Sequence, residues 1–250
     1  MLLEGKIALI TGATGAIGRA IATKYLENGA HLAMHYHSNE KKAKELHKQM
    51  SSYLGESIIV KADLTKYDEV QRMMQQINDR FGHLDILVNN AGVAADKLIT
   101  LMSDKEWDDV LDLNLNGTFY TTQTAIPLLA KSKNGRIVNI SSVTGICGQV
   151  TRVNYGTSKA AIIGLTRALS KELAKYKIHV NTVAPAIMDS GIAEKLPFLQ
   201  KQIHKGMTPL RRLGTADDVA NAVLYLTSEM SDYITGEIIT VSGGEVSWYL

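Results

Sequence analysis

The sequence predicts an α/β protein: one doubly wound parallel sheet of about seven strands, with helices on both faces. Seven short apolar, β-branched-rich runs alternate with segments of helical periodicity, the βαβ order that produces parallel strands. Most of these runs are apolar throughout, as strands covered on both faces must be. A glycine-rich turn joins the first run to the first helical segment, where sheets of this kind place a ligand crevice.

Taken in order, KIALIT (6–11) is the first strand, and the turn TGATGAIG leads into a helix over 16–28. HLAMHYH (31–37) and SIIVKA (57–62) are the second and third strands, on either side of a helix at 40–53. A helix at 67–81 precedes the fourth strand, LDILVNN (84–90), and one long helical segment spans 104–130. GRIVNIS (135–141), a helix at 154–175, IHVNTVA (178–184), a helix at 216–228 and EIITVSG (237–243) complete the pattern. Right-handed crossovers with a reversal of strand order place the crevice at the carboxyl ends of the strands. No repeat, low-complexity tract or Pro/Gly-rich linker interrupts residues 1–250, so one domain is expected. The least regular stretch, 185–214, carries three of the four prolines, and a lid over a ligand is expected at about 186–210.

Composition narrows the function. Lys plus Arg number 27 against 25 Asp plus Glu, which leaves no electrostatic case for nucleic acid or an anionic membrane and favours a small-molecule partner. The single cysteine, Cys147, excludes an internal disulfide and reads as a small buried hydrophobe rather than a nucleophile. The start MLLEGKIALIT lacks the charge and apolar length of a secretory signal, and no run of about 18 apolar residues occurs, so a cytoplasmic protein is expected. The sequons at Asn116 and Asn139 are then chance matches. His31, His35 and His37 share a strand face by period two, but no carboxylate or thiolate stands beside them in that strand, and no metal site is expected.

Two motifs carry chemistry. In TGATGAIG (11–18), Gly12, Gly15 and Gly18 let backbone approach a pyrophosphate at a helix N-terminus, although glycines spaced by three also suit ordinary strand-to-helix packing. In VNYGTSKAA (153–161), Tyr155 and Lys159 lie one helical turn apart with only small residues between them. A phenol ionises at about 10, and a neighbouring ammonium lowers that value, so Lys159 is expected to tune Tyr155. Ser142, thirteen residues earlier at a strand end, can converge on the same point, as an oxyanion-type hydrogen-bond donor. Asn114 stands within the long helical segment, where asparagine competes for backbone hydrogen bonds; on its own it is not separable from Asn116.

TGATGAIG, Asp63, NNAG (89–92), Asn114 in LDLNLNG, Ser142 in NISS, YGTSK (155–159) and NTVAP (181–185) occur in the right order for the chain to resemble the short-chain dehydrogenase/reductase family, in its one-domain branch. The resemblance runs from Lys6 to Gly244 and implies a Rossmann fold. It departs at Ala16, where the family pattern has glycine. It implies that Tyr155 donates a proton to a substrate carbonyl, that Ser142 holds its oxygen, that Lys159 holds the nicotinamide ribose, and that Asn114 binds a water relaying protons from Lys159. The dinucleotide would contact Gly12, Thr14, Gly15, Ala16, Ile17 and Gly18 in the turn; Asp63 and Leu64 at the adenine; Asn90, Ala91 and Gly92 at ribose and phosphates; and Pro185, Ile187 and Ser190 near the nicotinamide. Tyr36 occupies the place of the acid that relatives using NAD present to the ribose, and His37 and Ser38 could bind a 2′-phosphate, so NADP(H) is expected ahead of NAD(H).

Residues 92–114 and the late stretch from Pro209 resemble the branch with 3-oxoacyl-acyl-carrier-protein and acetoacetyl-CoA reductases, which implies a ketone or acyl thioester substrate. Lys131, Lys133, Lys175 and Lys177 could meet an acidic acyl carrier protein, and Met188, Ile192, Leu196, Phe198, Leu199 and Met207 could line the pocket. Enoyl reductases of the wider family have a longer Tyr-to-Lys interval than this chain. Phe119, Ile126, Ile162, Leu165 and Leu169 form second apolar helix faces of the kind that relatives bury in homotetramers or dimers. The rival readings are an oxidative dehydrogenase of a sugar, polyol or steroid-like alcohol, and a non-catalytic dinucleotide-binding regulatory protein.

Overall fold

In a computed structural model describing residues 1–189 and 198–248, all seven expected strands form. They are β1 (Ile7–Ile10), β2 (His31–Tyr36), β3 (Ser57–Lys61), β4 (Ile86–Asn89), β5 (Gly135–Ile140), β6 (Ile178–Pro185) and β7 (Ile238–Val241). The helices are α1 (Ala16–Glu27), α2 (Glu40–Met50), α3 (Tyr67–Phe81), α4 (Asp104–Leu111), α5 (Gly117–Leu129), α6 (Thr144–Cys147), α7 (Val153–Glu172), α8 (Phe198–Met207) and α9 (Ala216–Thr227). The strands form one parallel sheet in the order β3-β2-β1-β4-β5-β6-β7. The order therefore reverses between β1 and β4, and that junction is the switch point at which a crevice opens.

Alternation along the strands sends side chains to two cores. Ala8, Ile10, Ile86, Val88, Val138 and Ile140 pack on one face with Ile21 and Tyr25 of α1, Leu46 of α2 and Val219 and Val223 of α9. Ile7, Leu9, Leu87 and Ile137 face the other way, against Val70 and Met73 of α3 and Ala125 of α5. Both faces are thus covered, which is why the strand sequences carry no polar alternation. Beneath the second face runs a buried polar chain. Asn89 Nδ2 donates to Thr122 Oγ1 (2.9 Å) and Asn139 Oδ1 (2.8 Å), Asn139 Nδ2 donates to Thr166 Oγ1 (2.9 Å), and the Thr182 and Thr166 hydroxyls are 2.7 Å apart. It ties β4, β5 and β6 to α5 and α7.

Several expectations change in detail. The long segment 104–130 is α4 and α5 joined by a π turn at Asp112–Asn116, and Thr118 Oγ1 caps the carbonyl of Asn114 at 2.8 Å. Gly117 just beyond it packs closely on Leu64, whose Cβ is 3.2 Å from where a Cβ would stand. Cys147 is exposed in the short helix α6, not buried. Met188 is buried against Gly214 in the first core. The lid region holds α8, with Met207 exposed, while Ser190, Ile192 and Leu196 lie outside the described residues. Of the second apolar faces, Ile162 is buried within the chain and Ile126 and Leu169 pack against its core, whereas Phe119 stays exposed. Among the described residues no helix is long and apolar enough to cross a membrane.

Candidate active site

The glycine turn is built by packing on its neighbours at the switch point. Gly12 has φ +62°, and Gly18 has the carbonyl oxygen of Gly12 2.4 Å from where its Cβ would be, so both positions exclude larger residues. Gly15 has room for a methyl group. The Thr11 hydroxyl accepts the N–H groups of Asn90 (2.8 Å) and Ala91 (3.0 Å), and Asn90 Nδ2 donates to the carbonyls of Thr11 (2.8 Å) and Gly12 (3.2 Å). Asn90 therefore braces the turn, and its amide is already used there. α1 opens at Ala16 with no side-chain cap and no acid in its first turn, leaving the N–H groups and positive dipole end that a diphosphate requires. Ala16, where the resembled pattern has glycine, is itself the first helical residue, a position that asks nothing special of its backbone.

Sequence reasoning missed His35. The Gly12 N–H donates to His35 Nδ1 (3.1 Å), and Nε2 donates to the carbonyl of Ala62 (3.0 Å), joining the turn, β2 and the end of β3. Burial pushes this imidazole down to about 4, so it is neutral at pH 7 and fixed as the Nε2–H tautomer. Its period-two neighbours serve elsewhere: His31 Nδ1 accepts the Glu56 N–H at 3.0 Å, and His37 is exposed 4.0 Å from Asp63. No cluster of three metal-binding side chains occurs among the described residues.

At the carboxyl ends of β4 and β5, Ser142, Tyr155, Lys159 and Asn114 come together. Ser142 stands near enough to the Tyr155 hydroxyl to lower its pKa, and its Oγ accepts the Thr144 N–H at 3.2 Å. Lys159 is buried, with Nζ 5.7 Å from the Tyr155 ring centre and donating to the carbonyl of Ile140 at 2.9 Å. Asn114, wholly buried in the π turn, accepts the Val93 N–H (2.8 Å) and donates to the Val93 carbonyl (2.9 Å) and Ser158 Oγ (3.0 Å). Gly92 fits between them: a Cβ there would lie 3.0 Å from Asn114 Oδ1 and 3.4 Å from Lys159 Nζ. Gly145, which the sequence reading passed over, lets α6 touch α7, since its Cβ would stand 2.6 Å from the Lys159 carbonyl carbon. Ser141 turns away, donating to the Lys159 carbonyl at 2.7 Å, which separates it from Ser142.

The electrostatics differ from the expectation. Burial raises the Tyr155 phenol above its ordinary value; Ser142 and the Arg152 guanidinium lower it, Asp96 raises it, and the net direction is up. Lys159 is not among the groups that set this shift, and burial brings its own pKa down to about 8, so it still carries its proton for the most part at pH 7. The phenol is thus neutral at pH 7 and able to donate a proton, and the Asn114 amide is already committed to Val93 and Ser158.

A second cleft, of about 280 Å³, opens where β2 and β3 end, lined by His37, Ser38, Lys61, Asp63, Lys66 and Glu69. Lys61 and Lys66 add cations that the sequence reading left out; their only signal was their position flanking Asp63. The Asp63 carboxylate accepts from Thr65 N–H (3.0 Å) and Oγ1 (2.7 Å) and lies 3.7 Å from Lys66 Nζ. Burial pushes its pKa up, but Thr65, His37 and Lys66 outweigh that and bring it below the usual carboxylate range. Leu64 and Tyr36 are buried, with Tyr36 accepting the Ala62 N–H at 3.3 Å. Pro185 and Ile187 stand at the end of β6 beside the Ser142 strand, where the Pro185 carbonyl accepts the Val143 N–H at 3.0 Å; Ser190 falls outside the described residues. Lys131, Lys133, Lys175 and Lys177 precede β5 and β6, at the sheet edge opposite Tyr155 of the same chain.

A doubly wound sheet with a Ser–Tyr–Lys cluster beside its switch point defines a class, the dinucleotide-dependent α/β oxidoreductases. A family model described as Enoyl-(Acyl carrier protein) reductase matches residues 12–245. The chain belongs to the short-chain dehydrogenase/reductase family. It is 42% identical over 243 residues to the 3-oxoacyl-acyl-carrier-protein reductase FabG of Aquifex aeolicus, covering 97% of this chain and 98% of that one. The reductase of the same name from Thermotoga maritima is 38% identical over 246 residues (98% and 100% covered), and that of Staphylococcus aureus 40% over 239 (96% and 97%).

Proposed function

We propose that the protein reduces a ketone to a secondary alcohol, with a 3-oxoacyl thioester as substrate and NADP(H) as the hydride carrier. The observation that carries this reading is the neutral Tyr155 hydroxyl beside Ser142 at the carboxyl edge of β5, with Lys159 one turn away. The nicotinamide cofactor supplies hydride to the carbonyl carbon. Tyr155 gives its proton to the carbonyl oxygen, and Ser142 hydrogen-bonds that oxygen as charge develops on it. Lys159 stabilises the phenolate left behind and holds the nicotinamide ribose. Asn114 fixes the backbone of Val93 beside Gly92, which would border the cofactor's ribose. Gly12, Thr14, Gly15, Ala16, Ile17 and Gly18 receive the diphosphate, with Asn90, Ala91 and Gly92 shaping the turn from the next strand.

The cleft at β2 and β3 supports the choice of dinucleotide. No carboxylate ends β2, where Tyr36 stands, and Lys61, Lys66 and His37 offer cations to a ribose 2′-phosphate in a cleft they share with Asp63 and Glu69. The family model's description names an enoyl reductase, but the Tyr155–Lys159 interval and the names of the curated relatives favour ketone reduction. An acyl carrier protein is the partner that such a thioester implies.

The test follows loss of NADPH and NADH absorbance with acetoacetyl-CoA and a panel of simple ketones. We expect NADPH-dependent turnover of the thioester, and a loss of about 10³-fold in kcat for Tyr155→Phe. Tight dinucleotide binding without turnover across the panel would support a regulatory protein, and a preference for NADH would overturn the reading of the second cleft.

A further inference from the structure

Arg152, the residue before α7, stands over the catalytic tyrosine. Its guanidinium carbon is 5.6 Å from the Tyr155 ring centre, and its side chain is 17% exposed. It does not float there: Nε and Nη2 both reach Asp96 Oδ2 at 2.8 Å. The backbone is committed to the same arrangement. Thr151 adopts φ +70°, rare for a β-branched residue, and its carbonyl accepts the Lys97 N–H at 2.6 Å while Lys97 bridges to Arg152. The Lys97 ammonium is in turn held 2.8 Å from Glu106.

We propose that Arg152 is a positioning residue for proton transfer that acts through its charge over the Tyr155 ring, stabilising the phenolate that forms when the substrate oxygen takes the proton. This rests on the reading of Tyr155 as proton donor. In the step, the Tyr155 O–H bond breaks and a substrate O–H bond forms; the phenolate remains beside Arg152 and Lys159 until solvent returns a proton. The charged and titratable groups facing the ring are Arg152 before α7, Lys159 within it, Ser142 from the end of β5 and Asp96 from the segment after β4, with the Lys97–Glu106 pair behind Asp96. Arg152 favours the phenolate and Asp96 opposes it.

That opposition gives the test. The rate of 3-hydroxybutyryl-CoA oxidation with NADP⁺, where Tyr155 acts as base, is followed against pH on its rising limb, with melting temperatures in parallel. At fixed pH, Arg152→Gln is expected to be about two- to threefold slower and Asp96→Asn faster by a similar factor, while Arg152→Lys, which keeps the charge, stays near the parent. A pair that served only packing would be damaged in the same direction from either side. Equal losses in Arg152→Gln and Asp96→Asn, or no displacement of the limb in either, would overturn the proposal. Undiminished activity in Tyr155→Phe would overturn the proton-donor reading itself, and this inference with it.

Discussion

Gly18 has no room for a methyl group. Its Cβ would stand 2.4 Å from the Gly12 carbonyl oxygen and 2.8 Å from Ala13 Cα, both backbone atoms that cannot move without opening the turn. Gly18→Ala is therefore expected to cost about 2 kcal/mol or more in stability and at least tenfold in dinucleotide affinity, read by thermal melting and fluorescence titration. Gly15→Ala, whose Cβ would meet only the Gly12 carbonyl oxygen at an ordinary contact distance of 3.4 Å, should leave stability unchanged. Lys159 shows the opposite tension between a residue and its surroundings. Its pKa is down at about 8 from 10.5, so the unfolded chain holds this proton more tightly than the folded one, and the folded state is penalised below pH 8. Lys159→Met should remove that penalty while abolishing turnover. The variant is expected to be more stable at pH 7 by about 1–2 kcal/mol, after the loss of the hydrogen bond to Ile140, with the gain shrinking as pH rises from 8 towards 10.5. Denaturant unfolding at pH 7 and 10 checks the sign.

Elements show how far the sequence could be read. The strands and main helices were legible because their apolar period is written into adjacent residues, and Tyr155, Lys159 and Ser142 because a helical turn and a strand end bring them together by short-range geometry. What could not be read depends on contacts between distant segments. Asn114 looked like a poor helix residue; its place in a π turn is decided by Val93 and Ser158, 21 and 44 residues away. His35 looked like one of three histidines on a strand face, and its task is set by a glycine turn 23 residues earlier. The same contacts make a prediction for β2. The His35 imidazole ionises near 6.5 unfolded and near 4 folded, so the unfolded state takes up its proton first as pH falls. At about 1.4 kcal/mol per pH unit, this one group is expected to withdraw about 3 kcal/mol between pH 6.5 and 4, and His35→Gln should flatten that part of the stability curve.

At the scale of the whole molecule, the sheet is held as a unit by the polar chain running Asn89, Asn139, Thr166 and Thr182 across three strands. Breaking it anywhere strands the remaining groups in a dry core. Asn139→Leu is expected to cost about 2–4 kcal/mol, and combining it with Thr166→Val should cost at least about 1 kcal/mol less than the sum of the two, by denaturant unfolding of both singles and the double.

The exposed thiol of Cys147 has a practical side. It is the chain's lone cysteine, seated on the one-turn helix that leaves Ser142 and rests on α7. A maleimide dye would attach there alone, without engineering. Because burial and then Glu245 raise the thiol's pKa, conjugation should be slow at pH 7 and gain speed in mildly alkaline buffer.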